Sequence, residues 1–246
     1  MRRALAPLAV VAVLLAVPAT AQPEQVAGVR VERIGRSVLG RPIVAARVGD
    51  PAAPRKVLVV GCIHGDEGAG RAVVNRLREG GAAPPGVELL LVRDLNPDGR
   101  ARRTRQNAHG VDLNRNSSRG WRNLGPPGSR YYAGPRPFSE PETRAIRALI
   151  VRERPAVTIW YHQPFGVVDF PESGSARLTR AYSSLSGLPA QRLGARPGSM
   201  SRWQNARVRR GSSVVVELPA GPLPAGALRR HVAAVLGVAA DPRING

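Results

Sequence analysis

Residues 56–70 read KVLVVGCIHGDEGAG, and this stretch decides the fold class. The continuous apolar run up to residue 62 lacks polar alternation, which is typical of a β-strand that is covered on both faces. Glycines follow at positions 61, 65 and 68, and a helical pattern then continues from about residue 67 to residue 78. The stretch therefore predicts a buried strand that turns directly into a helix, with His64 and Glu67 at the junction.

The residue types at this junction indicate a metal site. The spacing of His64 and Glu67 lets a loop histidine and a first-turn carboxylate converge on one point. Imidazole and carboxylate groups hold zinc in hydrolytic sites that keep one position open for water. Cys62 lies nearby, but it is the only cysteine and stands in an apolar run, so we interpret it as a small buried hydrophobe rather than as a ligand.

The remaining chain predicts an α/β fold. Residues 29–34 and 42–48 suit an antiparallel hairpin at the edge of a sheet. The other predicted strands are residues 87–92, 157–160 and 213–216, and the other predicted helices are residues 139–152, 176–185 and 224–236. Strands that alternate with helices indicate a sheet with helices on both faces. The length of 246 residues favours one domain.

Polar residues cluster where the predicted strands end. His162 follows the strand at residues 157–160, and Glu217 follows the strand at residues 213–216. Ligands of such sheets bind in the crevice at the strand ends. A long polar connection runs from NPDG at residues 96–99 to residue 132. Connections of this length are usually functional or disordered, and the specific polar residues here favour a functional one. By contrast, SEPE at residues 139–142 predicts a capping box with Ser139 as N-cap and Glu142 as its partner.

The N-terminus has the pattern of a secretory signal peptide. Arg2 and Arg3 precede an uncharged apolar run over residues 5–17, and small residues follow up to Ala21. The run is shorter than the roughly 20 apolar residues that a membrane span needs, so we expect no stable membrane anchor. We predict cleavage near Ala21, a signal peptide at residues 1–21 and one mature domain at residues 22–246. The mature protein would be secreted or held in the periplasm or cell envelope.

The net charge of +20 is almost entirely arginine, since Lys56 is the only lysine. A positive surface favours anionic partners. The arginines are scattered, however, and aromatic residues make up only 4% of the chain. A stacking platform for single-stranded nucleic acid needs aromatic side chains beside the basic ones, so we expect no nucleic-acid partner.

Five sequence features together resemble the zinc carboxypeptidase family. They are IHGDE at residues 63–67, NPDG at 96–99, GVDLNRN at 110–116, the strand-end His162 and VELP at 216–219. The layout is most similar to the short bacterial murein peptide amidase group, and it covers about residues 29–236. The resemblance implies a monomeric enzyme whose single domain is built around a mixed, mainly eight-stranded sheet. It also implies that His64, Glu67 and His162 bind one Zn²⁺ ion.

The same resemblance implies roles for the other motif residues. Asp112 would accept the N–H of a ligand histidine and thereby fix its tautomer. Glu217 would be the general base for the attacking water and then the proton donor to the departing amine. Arg105 would stabilise the oxyanion, with Arg102 as the alternative because RRTR can be aligned in two ways.

Substrate recognition follows in part from the same motifs. Asn114 and Arg115 would bind a terminal carboxylate of the substrate, since a guanidinium offers two parallel hydrogen bonds. The chain departs from the family where a mobile tyrosine is expected, because Arg196 stands near that position. Tyr182 is the only tyrosine between His162 and Glu217. Arg196 and Arg202 would instead suit an acidic group of the substrate.

These features predict an exported zinc metallopeptidase that hydrolyses an amide bond next to a free carboxylate. Its partner would be a muropeptide, cut between γ-D-glutamate and diaminopimelate, or a peptide C-terminus. An alternative is an N-acyl amino acid deacylase similar to aspartoacylase and succinylglutamate desuccinylase, which shares HxxE, the later histidine and an NR pair. A further alternative is a basic, non-enzymatic envelope-binding or nucleic-acid-binding protein, which predicts salt-dependent binding without zinc.

Overall fold

The computed structural model describes residues 28–170, 174–194 and 196–245. The predicted signal peptide and its cleavage near Ala21 lie outside these ranges. Within them, no helix is both long enough and apolar enough to cross a membrane.

Eight strands form one mixed sheet, as the family resemblance predicts. The strands are β1 (Val29–Arg36), β2 (Pro42–Gly49), β3 (Arg55–Val60), β4 (Val87–Val92), β5 (Val157–His162), β6 (Phe165–Asp169), β7 (Ala190–Gln191) and β8 (Ser212–Pro219). Their order across the sheet is β1-β2-β4-β3-β5-β8-β6-β7. The four central strands β4, β3, β5 and β8 are parallel, whereas β1–β2, β2–β4 and β6–β8 pair antiparallel. The predicted edge hairpin is therefore confirmed.

Helices cover both faces of this sheet, as predicted. They are α1 (Gly70–Gly80), α2 (Pro97–Arg102), α3 (Pro141–Glu153), α4 (Ala176–Ser186), α5 (Met200–Arg207) and α6 (Ala225–Ala240). One apolar cluster joins α1, α4 and α6 to one face of the sheet, and a second joins α3 and α5 to the other. Strands β4 and β5 are buried along their whole length, as expected for strands that are covered on both faces.

Several element boundaries differ from the sequence predictions. Helix α1 begins at Gly70, so Glu67 lies in the preceding turn, where its N–H donates to the His64 carbonyl at 3.1 Å. Strands β5 and β8 continue far enough to include His162 and Glu217, which are paired across the two strands. The short elements β6, β7 and α5 were not predicted, since their sequences have little periodicity.

The predicted capping box at residues 139–142 is wrong. Helix α3 begins at Pro141 with Glu140 as N-cap, and the Ser139 hydroxyl donates to the Glu140 carboxylate at 2.6 Å. Glu142 is fully buried and accepts the N–H of Val38 at 3.1 Å. The acid therefore fastens the β1–β2 turn to the helix, a tertiary contact that overrides the local capping pattern.

A buried hydroxyl chain makes the fold sensitive to acid. His231 on α6 is 1% exposed, and its Nδ1 lies 3.0 Å from the Tyr182 hydroxyl, which contacts the Tyr161 hydroxyl at 2.6 Å. Burial lowers the pKa of His231 to about 4, and the charge of Arg230 adds to this effect. The unfolded chain binds this proton at about pH 6.5. Neutral His231 therefore contributes its full stabilisation above about pH 6.5. This stabilisation is lost as the pH falls towards 4, because the unfolded chain takes up the proton first.

We expect His231→Gln to remove this part of the acid sensitivity, because a glutamine oxygen still accepts the Tyr182 hydroxyl. Between about pH 7 and about pH 4, the wild-type chain should lose up to roughly 3 kcal/mol more of unfolding free energy than the variant, at about 1.36 kcal/mol per pKa unit. Urea unfolding at the two pH values measures the difference. Equal losses in the two proteins would contradict the assignment.

Candidate metal centre and substrate cleft

The predicted site residues meet at the carboxyl ends of the parallel strands. His64 follows β3, His162 is the last residue of β5, and Glu217 is its cross-strand neighbour on β8. Two glycines allow the surrounding loops to approach closely. A Cβ atom on Gly65 would lie 2.0 Å from the backbone carbon of Gly99, and one on Gly198 would lie 1.9 Å from the Arg115 carbonyl oxygen.

His64, Glu67 and His162 bring three donor atoms to one point. Nδ1 of His64 and Nδ1 of His162 are 3.1 Å apart, and each lies 2.9 Å from the same oxygen, Glu67 Oε2. All three side chains are buried or nearly so. For zinc at about 2.0–2.1 Å from each ligand, tetrahedral geometry requires about 3.3 Å between ligand atoms. The three distances are close to this value.

The proton positions also favour a cation. His64 Nε2 lies 3.0 Å from the buried Asp112 carboxylate, so this nitrogen carries the proton in the neutral ring. Nδ1 of His64 then presents a lone pair to the carboxylate oxygen of Glu67. Lone pairs that face each other in a buried site repel unless a positive charge lies between them. The donor set therefore fits a zinc ion, with His64, Glu67 and His162 as the residues that would hold it.

Charge coupling within the cluster is strong. Burial alone would raise the pKa of Glu67, but the charges and hydrogen bonds of His64 and His162 outweigh it and hold that pKa far below its usual range. Burial likewise opposes ionisation of Asp112, and His64 and Arg105 reverse the effect, so its pKa is also lowered. Both acids are thus anionic, as a cation site requires.

Cys62 is not part of this cluster. Its Sγ donates to the His64 carbonyl at 2.9 Å, and burial raises the pKa of the thiol to about 12. A protonated thiol is a poor ligand. The interpretation of Cys62 as a buried hydrophobe agrees with this geometry.

Glu217 lies beside the three candidate ligands without joining them. Its Oε2 is buried and has no hydrogen-bond partner among the described residues. Burial raises the pKa of Glu217, and the negative charge of Glu67 adds to the increase against the opposing effect of the two histidines. An unpartnered buried carboxylate oxygen is costly for the fold, and it is the arrangement that a general base needs.

Arg105 and Arg115 line the same cleft. Arg105 donates from Nε to Asp112 at 2.9 Å and from Nη1 to Glu67 at 2.8 Å, so its guanidinium is fixed against the metal cluster. Its alternative, Arg102, is exposed on α2 and does not line the cleft, which favours Arg105. Arg115 is 6% exposed and makes no salt bridge within the described ranges.

Of the two residues predicted to bind the substrate carboxylate, Asn114 and Arg115, only Arg115 has its side chain largely available to a ligand. Asn114 lines the cleft, but its Oδ1 accepts the N–H of Met200 at 3.0 Å and its Nδ2 lies 3.2 Å from His162 Nε2. Burial lowers the pKa of Arg115, and Arg105 and Arg196 lower it further against the attraction of Asp112. A buried guanidinium that lacks an acid partner is well suited to an anionic ligand.

The structure adds cleft residues that the sequence did not single out. Gln163 donates its backbone N–H to Glu67 at 3.2 Å and accepts the N–H of Ala69 at 2.9 Å, so it orients a candidate ligand. Tyr131, from the long polar connection, lies at the mouth of the cleft. The sequence RYY at residues 130–132, which places aromatic residues beside an arginine in that polar connection, could have pointed to it. Tyr182 is fully buried and cannot cap a substrate.

Asp112→Asn tests the orientation of His64. An amide is a weaker acceptor than a carboxylate, so we expect zinc affinity to fall by about 10- to 100-fold. Competition with a chromophoric chelator measures the dissociation constant. Asp98→Asn is the matched control, because Asp98 is an equally buried acid that contacts Arg41 and the N–H of Leu39. Similar zinc affinities in the two variants would contradict the prediction.

The class of protein follows from this fold and site together with a family comparison. Residues 19–80 and 85–202 match the family described as zinc carboxypeptidase. The chain belongs to the zinc carboxypeptidase family, a family of metallohydrolases.

Individual proteins of similar sequence include murein peptide amidases. Murein peptide amidase A of Escherichia coli (strain K12) is 34% identical over 157 residues, which is 57% of this chain and 62% of that protein. The match thus spans less than two thirds of this relative. Murein peptide amidase A of Vibrio campbellii is 30% identical over 210 residues, which is 75% of this chain and 77% of that protein.

Solved structures show the same fold. Murein-tripeptide amidase MpaA from Escherichia coli O157 superposes with a TM-score of 0.66 at 26% identity, covering 86% of this chain and 92% of that one. Carboxypeptidase A from Helicoverpa armigera gives a TM-score of 0.73 at 19% identity, covering 86% and 68% of the respective chains. The predicted family and the predicted eight-stranded fold are confirmed.

Proposed function

We propose that this protein is a zinc-dependent amidase that cleaves cell-wall peptides at an amide bond next to a free carboxylate, between γ-D-glutamate and diaminopimelate. The observation that carries the proposal is the unpartnered Oε2 of Glu217 beside three converging donors, in a cleft with the buried cation of Arg115. The similarity to murein peptide amidases supports the choice of a cell-wall peptide.

Each residue has a defined task in this reaction. His64, Glu67 and His162 would hold the zinc ion, which would supply Lewis-acid chemistry at the scissile carbonyl. Glu217 takes the proton from the attacking water and later delivers it to the leaving amine, for which a raised carboxyl pKa is suitable. Arg105, whose guanidinium is held by Asp112 and Glu67, would stabilise the oxygen that gains negative charge.

The charges of the cleft favour a substrate with more than one carboxylate. Its lining includes five arginines and three acids. The arginines are Arg105, Arg115, Arg130, Arg196 and Arg202, and the acids are Glu67, Asp169 and Glu217. Two of the acids have roles in metal binding and proton transfer, so the remaining wall is strongly positive. Arg196 and Arg202 line the same cleft, and guanidinium groups suit a second acidic group of the substrate, such as the extra carboxylate of diaminopimelate.

Product analysis by mass spectrometry tests the proposal. The zinc-loaded protein, residues 22–246, is mixed separately with γ-D-glutamyl-diaminopimelate muropeptides, peptides with neutral or acidic C-terminal residues, and N-acyl amino acids. We expect cleavage at the γ-D-glutamyl bond. Exclusive cleavage of the peptide panel would indicate a carboxypeptidase, and exclusive cleavage of N-acyl amino acids would indicate the deacylase alternative. Either result overturns the proposed substrate.

We also propose that the protein acts outside the cytoplasm, because its N-terminal pattern is that of a signal peptide and its proposed substrate is in the cell wall. Expression of the full chain followed by N-terminal sequencing of the exported form tests this. A new N-terminus at Gln22 is expected. Retention of Met1 in an exclusively cytoplasmic product would contradict it.

A further inference from the structure

Tyr131 covers the positively charged side of the cleft. Its ring centroid lies 5.5 Å from the guanidinium carbon of Arg105, 5.3 Å from that of Arg115 and 5.7 Å from that of Arg130. A cation within about 6 Å of an aromatic centroid is attracted by the ring. The side chain is also 43% exposed, so one edge of it remains accessible from the cleft.

The ring has a particular importance for Arg115. Arg105 is held by two carboxylates, whereas Arg115 has only the Asn114 carbonyl, 2.7 Å from its Nη1, and the ring of Tyr131. No acid pairs with Arg115 in the described part of the chain. The aromatic face therefore provides much of what orients this buried cation when no ligand is bound.

The backbone fixes Tyr131 relative to the metal cluster. The carbonyl of the next residue, Tyr132, accepts the N–H of Asp112 at 2.8 Å, and the N–H of Tyr132 donates to the Ser129 carbonyl at 3.0 Å. Asp112 in turn contacts His64. The tyrosine is thus tied to the same loop that orients a candidate ligand, although it lies on the long polar connection.

The environment of the phenol is strongly positive. A hydrogen bond with Arg130 lowers the pKa of Tyr131, burial opposes this effect, and the charges of Arg130, Arg105 and Arg115 lower the pKa further. An anionic group that enters the cleft beside Tyr131 and Arg115 would meet this positive potential together with an exposed hydroxyl donor.

We propose that Tyr131 determines the preference for a free carboxylate by holding the guanidinium of Arg115 in position to bind it. The inference deepens the proposed function and rests on it for the identity of the substrate. It places a cleft tyrosine on a connection before α3, far in sequence from the segment near Arg196 where the family resemblance predicts one. Tyr131 is a positioning residue in this proposal, since its ring acts through Arg115.

Binding measurements on three variants test the proposal. Tyr131→Leu removes the ring, Tyr131→Phe keeps it, and Tyr132→Leu is the matched control because Tyr132 does not line the cleft. Each is combined with Glu217→Gln, so that calorimetry reports binding to the zinc-loaded protein without turnover. The probes are γ-D-glutamyl-diaminopimelate and its analogue with carboxamides in place of the diaminopimelate carboxylates.

We expect Tyr131→Leu to weaken binding of the carboxylate probe by about tenfold, as expected for the loss of cation–π contacts at a mostly buried guanidinium. The carboxamide probe should change by less than about twofold, and Tyr131→Phe should stay within about threefold of the parent because the ring is retained. In the active enzyme, Tyr131→Leu should raise KM more than it lowers kcat.

The proposal would be overturned by unchanged affinity of Tyr131→Leu for the carboxylate probe, or by an equal loss of affinity for both probes. A loss in Tyr131→Phe as large as in Tyr131→Leu would also contradict the role of the ring. Failure of the proposed function is distinguishable, because it would appear as turnover in the Glu217→Gln protein or as absence of the expected product. The ratio of the two binding constants does not depend on turnover.

Discussion

Glu217→Gln should lower kcat for amide hydrolysis by about 10³-fold, within the range of about 10² to 10⁴ that general acid–base catalysis contributes. The amide of glutamine cannot take a proton from water at neutral pH. Zinc content should stay at one ion per chain, because Glu217 is not among the three converging donors. Steady-state kinetics on the muropeptide and metal analysis of the same sample give both values.

A matched control separates the chemistry from a general effect of removing an acid. Glu79→Gln changes an exposed glutamate on α1 whose partner Arg76 lies 3.8 Å away, so both kcat and zinc content should be unaffected. If Glu217→Gln retained near wild-type kcat, Glu217 would not be the base and the proposed mechanism would be wrong.

His162→Ala should abolish stoichiometric zinc binding. The variant removes a nitrogen that lies 2.9 Å from Glu67 Oε2 and 3.1 Å from His64 Nδ1, so only two of three donors remain. We expect affinity to fall by more than the roughly 100-fold upper range seen when an outer hydrogen-bond partner of a ligand is removed. Activity should fall in parallel, to the level of the metal-free protein.

His231→Gln is the control for the loss of a buried histidine outside the metal cluster. His231→Gln also removes a buried histidine, on α6, yet His231 is not part of the candidate metal cluster, so its zinc content should equal that of the parent. Metal analysis after dialysis against a weak chelator distinguishes the two. Full zinc occupancy in His162→Ala would exclude His162 as a ligand.

The central fold was predictable because its strands are buried on both faces. Strand β4 was predicted at its observed bounds, and β3, β5 and β8 could be located from their runs of apolar and β-branched residues. His64, Glu67, His162 and Glu217 came together because parallel strands end at one edge of a sheet. The sequence signal was strong where burial is strong.

The rest of the cleft depends on contacts that sequence patterns do not encode. Tyr131 lies on a long connection whose path is set by distant partners, such as the hydrogen bond from the Asp112 N–H to the Tyr132 carbonyl. Gln163 contacts Glu67 through its backbone, and this contact is independent of side-chain type. The start of α3 was misplaced for a similar reason, since Glu142 contacts the remote turn at Val38 rather than its own helix end.

The close backbone contacts at Gly65 and Gly198 make these two positions intolerant of substitution, unlike other positions around the cleft. Any side chain at either position would overlap a backbone atom of another loop, at 2.0 Å or less. Substitutions at these two glycines would displace the residues around the metal centre, so selection for activity would remove them. Rim residues such as Phe165 and Leu193 line the cleft without such a restriction. New substrate preferences in this scaffold can arise at the rim while the reaction chemistry is inherited unchanged.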